Sequence, residues 1–188
     1  MGEKIARKLH SLWKKRFMGK LWTLGVFLAA LLAGCSKKSS TSVTPLNATD
    51  KQFVTNAGLN NVDEINVGYL ASTNAGDSIV KDFALQMVND YGSAQSALIL
   101  LADSVGFTVV SGPDQAHTQF LNTLKDLSGV SFDTAYLRGQ INDDQAAISL
   151  YQAEQSGGQN AAVKGYITRY LPVIQAHLSA AQALIQAQ

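Results

Sequence analysis

From about residue 50 onward, hydrophobic residues recur at steps of three and four, and the longest run lies between Asp77 and Val105. There Val80, Phe83, Ala84, Met87, Tyr91, Ala94, Leu98, Leu101, Ala102 and Val105 fall on one face of an amphipathic helix. Asp77, after Gly76, serves as its N-cap, and Gly106 marks its end. An earlier helix is predicted over 50–74, with Val54, Ala57, Ile65, Gly68 and Tyr69 inward and a weaker stretch from Gly58 to Asn61. A short helix around 114–127 follows. A third long helix covers 132–155, with Leu137, Ile141, Ile148 and Tyr151 in register, and stops at Gly157-Gly158. The last covers 160–187 with Val163, Tyr166, Ile167, Tyr170, Ile174, Leu178, Ala181 and Ile185 inward. Pro172 sits inside it and is expected to kink it near Thr168, whose carbonyl loses its amide partner. Strong helix formers dominate and no alternating pattern of comparable length competes. The expected fold is all-α, an up-and-down antiparallel four-helix bundle with an extra short helix.

The first 49 residues break this pattern. Lys4, Arg7, Lys8, Lys14, Lys15, Arg16 and Lys20 stand against a single acid, Glu3, and precede the apolar run LWTLGVFLAALLA at 21–33. This is the layout of an export signal. As a helix the run rises only about 20 Å, short of the ~30 Å hydrocarbon core, so a stable transmembrane helix is the weaker reading. It ends in Leu32-Ala33-Gly34-Cys35, which resembles the bacterial lipoprotein signal box and places the chain's single cysteine at the lipidation position. The expected organisation is a signal peptide at 1–34, a lipidated Cys35 with a flexible tether over 35–49, and the bundle over 50–188. The Ser- and Thr-rich stretch after Cys35 suits a tether. Ser36 rather than Asp after the cysteine fits sorting to the outer membrane, facing the periplasm. The implied partner is the membrane, through the N-terminal lipid anchor, and three acyl chains exceed what stable anchoring requires.

Cleavage before Cys35 changes the charge. The remaining 154 residues carry 8 Lys and Arg against 13 Asp and Glu, so a formal charge of +1 becomes −5. An acidic domain with scattered basic residues lacks the electrostatic footprint of a nucleic-acid partner. With no second cysteine the mature chain makes no internal disulfide. No nucleophile elbow, phosphate loop, HExxH or CxxC pattern is present, and no catalytic residue is assigned. His10 is lost with the signal, and His117, beside Asp114, reads as a solvated side chain.

Three ionisable residues fall on the apolar stripes: Glu64, Asp144 between Ile141 and Ile148, and His177 between Ile174 and Ala181. Buried carboxylates and imidazoles need partners. One reading satisfies each through Tyr91, Tyr136 or Tyr170 or sets it at the stripe edge within reach of solvent; the other joins them as a two-carboxylate, one-histidine metal set.

The segments VDEINVGYLA at 62–71, FALQMVNDY at 83–91, FDTAYLRGQINDD at 132–144 and LPVIQAHLSAA at 171–181 resemble exported bacterial ferritin-like bundles. These are classed as a domain of unknown function and often labelled outer membrane proteins. The resemblance spans about 50–186. It implies a ferritin-like bundle in which the second and third motifs end in Asp-His and the fourth adds another His. Here Tyr91 and Asp144 stand where the first two histidines are expected, and only His177 is kept. Glu64, Asp144 and His177 are then the ligands left for a divalent ion such as iron, manganese or zinc. The leading expectation is a non-catalytic, lipid-anchored envelope protein with an interaction or structural role; the alternative is a metal-binding bundle that handles metal or oxidative stress.

Overall fold

The computed structural model describes residues 44–110, 112 and 115–188, so the signal, Cys35 and most of the tether lie outside the described residues. Five helices follow in chain order: α1 (Ala48–Asn74), α2 (Ser78–Ser104), α3 (Gln115–Lys125), α4 (Gly129–Gly157) and α5 (Ala161–Gln186). The all-α bundle with one extra short helix is therefore present.

Local chemistry sets the helix ends. Asn47 and Asp50 form a reciprocal capping box at the start of α1: Asp50 N–H donates to Asn47 Oδ1 at 2.8 Å, and Asn47 N–H to Asp50 Oδ2 at 2.7 Å. Asp77 caps α2 by accepting from Ile79 N–H, and Asn160 caps α5 by accepting from Ala162 and Val163 N–H. Gly106, at φ 70°, takes the left-handed conformation expected of the residue ending α2. Pro172 lies inside α5, whose assignment continues without a break.

The folded part begins before Asp50, which corrects the predicted extent of the tether. Leu46 is buried in the core, and Asn160 Nδ2 donates to the Thr44 carbonyl at 2.6 Å. Polar composition had made 44–49 read as tether; the cap and one buried leucine hold it to the bundle.

The two ends of the bundle show how the helices run. At one end the α1–α2 turn meets the start of α4: Ala75 pairs with Gly129, and the Asp133 carboxylate accepts Gly76 N–H and Asp77 N–H, each at 2.8 Å. At the other end Asp50 accepts Gln159 and Asn160 N–H from the α4–α5 turn at 3.0 and 3.1 Å. Helices α2 and α4 thus start at the same end. α1 packs on α2 and α4, and α5 packs on the same two, so every neighbouring pair is antiparallel. Between α2 and α4 the chain must return along the bundle, and α3 lies on that return, packed across α1 and α4. Gly139 permits the crossing, since a Cβ there would collide with the Phe120 ring of α3.

Phe53, Val54, Met87, Leu98, Phe132, Tyr136, Leu137, Tyr151 and Ile167 form the centre of the core. Two expectations for α1 change. Tyr69 is 59% exposed rather than inward; the buried stripe passes through Asn61, Glu64, Val67, Gly68 and Ala71. The Gly58–Asn61 stretch continues the helix, because Gly58 admits the segment after α2 against Val109 and buried Asn61 donates to Gln95 Oε1 and Tyr166 OH.

Candidate functional site

Tyr136, Gln140 and Asp144 follow one another at four-residue steps on α4 and point to the bundle axis, where all three are buried. Facing them are Glu64 from α1, Tyr91 from α2 and His177 from α5, each no more than 2% exposed. The structure brings Glu64 and Asp144 into one acidic core. Burial pushes the Glu64 carboxyl well above the usual range, and the nearby charges of Asp143, Asp144 and Asp63 add to this while Gln140 opposes it. Burial raises Asp144 to about 7, with Asp143 adding to the effect; the Tyr91 hydroxyl, donating to Asp144 Oδ1 at 2.9 Å, pulls the other way. Tyr91 and Tyr136 are pushed well above the ordinary phenol value by burial and by the same two carboxyls, so both stay neutral.

His177 is held apart from this pair. Its Nε2–H donates to Asp90 Oδ2 at 2.9 Å, and its ring lies 5.5 Å from that of Tyr91. Burial lowers its proton affinity and Asp90 works against that shift. Tyr91 therefore stands between the acids and the imidazole, its hydroxyl given to Asp144 and its ring to His177. Among the described residues no group of three or more His, Cys, Asp or Glu could hold a metal ion. The expected set of Glu64, Asp144 and His177 is not assembled. Of the hydrogen-bonded alternatives, Tyr91 serves one Asp144 oxygen as anticipated, whereas His177 finds Asp90 and Glu64 meets the Gln140 amide rather than a tyrosine.

A second layer lies outside the acidic core. His117 is not a solvated side chain, which corrects the sequence reading: its ring is only 19% exposed, with Nδ1 3.1 Å from Asp63 Oδ2 and Nε2 3.8 Å from Asp143 Oδ2. Helix α3 thus lays one imidazole between the acids that precede Glu64 and Asp144 in the chain. No periodic signal in 114–127 announces this, because it depends on where α3 crosses. Gln140 was missed as well, although its place midway between Tyr136 and Asp144 was visible.

On the far side, Asp90, Tyr91, Tyr151, Tyr170, Ile174 and His177 line a small opening of about 10 Å³. That is space for roughly one water molecule. The Tyr170 hydroxyl donates to the Ser93 carbonyl at 3.2 Å, closing the wall between α5 and α2.

The family model described as "Domain of unknown function (DUF4142)" matches residues 35–184. Comparison with curated proteins finds no match. Among solved structures, the chain is similar to a DUF305 fragment from Deinococcus radiodurans, with a TM-score of 0.69 and 11% identity over 77% of this chain and all of that one. It is also similar to the structure titled "CopM in the Cu(II)-bound form", with a TM-score of 0.63 and 15% identity over 73% of this chain and 95% of that one. At such identities the likeness establishes a shared helical fold.

Proposed function

The chain belongs to the DUF4142 family of domains of unknown function, and on that premise we propose that it is a lipid-anchored protein of the bacterial cell envelope whose bundle has a non-catalytic, interaction or structural role. The observation that carries the second part is the closure of the inward polar groups. The opening beside them holds about one water, far below the ~300 Å³ of an ordinary ligand pocket. Support for the anchor comes from the Leu32-Ala33-Gly34-Cys35 box and from a family match that begins at residue 35, where cleavage would leave the new N-terminus. Ser36 supports the outer membrane, facing the periplasm, as the destination.

The anchor is tested by expressing the full chain in bacteria fed labelled palmitate. The wild type should take up label and fractionate with outer membranes, whereas Cys35→Ala should lose the label and remain as unprocessed precursor. Normal cleavage and membrane retention of the variant would refute the lipoprotein reading.

A second reading, metal handling, is favoured by two observations: the buried His177 Nδ1 has no hydrogen-bond partner, and a structure of similar fold is described in a Cu(II)-bound form. A lone imidazole nitrogen is far from a copper site. Equilibrium dialysis of the full chain against Cu(II) is expected to show no stoichiometric binding that depends on His177. One copper per chain, lost in His177→Ala, would replace the first reading with the second.

A further inference from the structure

The interior between α1 and α4 contains a set of polar atoms that the fold leaves without close hydrogen bonds. Both Glu64 oxygens, Asp144 Oδ2, both polar atoms of the Gln140 amide and the Tyr136 hydroxyl are fully enclosed and lack a close hydrogen bond, the Gln140 amide being the one hydrogen-bonding group that acts on Glu64. The four side chains are at most 1% exposed. They form one cluster: Tyr136, Gln140 and Asp144 lie at four-residue steps on the buried face of α4, and Glu64 lies on the buried face of α1, which packs against it, within range of Asp144 and Gln140. Native interiors leave few such atoms, and a group of them in one place calls for a ligand that satisfies them together. The titratable groups acting on Glu64 are Asp143, Asp144 and Asp63, all acids, with the His117 ring set outside them against Asp63 and Asp143.

We propose that this core is a binding site for one hard divalent cation, held by the Glu64 carboxylate, Asp144 Oδ2 and Gln140 Oε1, with the Tyr136 hydroxyl beside it. Every donor is oxygen, which selects calcium, manganese or magnesium over copper or zinc. The site excludes His177 and differs from the carboxylate–histidine set suggested by the sequence. It consists of two carboxylates and an amide, so it does not require three acidic or imidazole ligands. Tyr91 holds Asp144 Oδ1 and leaves the buried Oδ2 without a hydrogen bond, as a supporting partner does for a ligating carboxylate. An ion here would tie α1 to α4 and neutralise two buried charges, a structural role independent of the lipid anchor. Protons on Glu64 and Asp144 are the competing way to neutralise the pair, and they require no metal.

The full chain, purified in detergent and stripped with a chelator, is dialysed separately against Mn(II), Ca(II) and Mg(II). Bound ion is counted and thermal unfolding followed. One ion per chain and a rise in Tm of about 5 °C at saturation are expected. Glu64→Gln and Gln140→Leu should each weaken binding at least tenfold while circular dichroism shows the helices intact, and Gln140→Leu does so with both carboxyls retained. His177→Ala should bind as the wild type does. The proposal is overturned if the wild type holds none of the three ions at millimolar concentration with no change in Tm. Binding that survives both Glu64→Gln and Gln140→Leu also overturns it.

Discussion

Asp50→Ala is expected to destabilise the bundle by about 3 kcal/mol in denaturant unfolding, because one carboxylate serves three backbone donors at the end that follows the tether. It closes the capping box of α1 through Asn47 N–H and accepts Gln159 and Asn160 N–H from the α4–α5 turn. Removing it frees three donors and separates the start of α1 from the turn that Asn160 also fastens to Thr44. Against Asp50 lies Glu154, 1% exposed, with no donor at either oxygen. Its way to a hydrogen bond is to carry a proton itself and give it to Asp50.

That arrangement has a pH signature. Burial raises Glu154 from 4.5 to about 7, reinforced by Asp50 and opposed by Lys164. A folded-state value above the unfolded one means the folded chain holds the proton more tightly. The stabilisation is therefore complete below about pH 4.5 and is lost as pH rises toward 7. For Asp50, burial opposes ionisation, but hydrogen bonds from Asn47, Asn160, Glu154 and Gln159 outweigh it and place the carboxyl below 3.8. Its contribution is present above that value and fades in stronger acid. Glu154→Gln keeps a donor for Asp50 and removes the titration. The difference in stability between variant and wild type should grow in the variant's favour from pH 4.5 to 7.5, to order 1 kcal/mol. A difference flat across that range would show that Glu154 titrates in the fold as it does in the unfolded chain.

At the opposite end, Asp133→Ala is expected to cost roughly 2 kcal/mol, since Gly76 and Asp77 N–H would each lose a carboxyl acceptor in a partly buried turn. Asp133→Asn, which keeps one acceptor oxygen, should lose about half as much. Chemical denaturation of the three proteins orders them. Equal stability of Asp133→Ala and wild type would mean that the turn finds water in place of the carboxylate. These two aspartates hold opposite ends of the bundle, and neither lies on a periodic apolar stripe that would have announced it.

The periodicity of Val80 to Val105 and of Val163 to Ile185 was enough to place α2 and α5, because packing and propensity agree there. In α1 they diverge. Tyr69 looked like a core residue by type, but the stripe that faces the other helices follows Asn61, Glu64, Gly68 and Ala71, three of which are polar or lack a side chain. Composition likewise hid the start of the fold, where Leu46 and the Asn47–Asp50 box sit in a stretch otherwise suited to a tether.

The sequence by itself determined five helices, their caps at Asp77 and Gly106, and the inward placement of Glu64, Asp144 and His177, because each is encoded within a few residues along the chain. Which of those polar groups meet was decided by the tertiary structure. Tyr91 from α2 separates the acids from His177, and the crossing of α3 brings His117 onto Asp63 and Asp143. Both depend on how four helices are arranged round a common axis, and a helical period specifies only which face turns inward, not which neighbour it will find there.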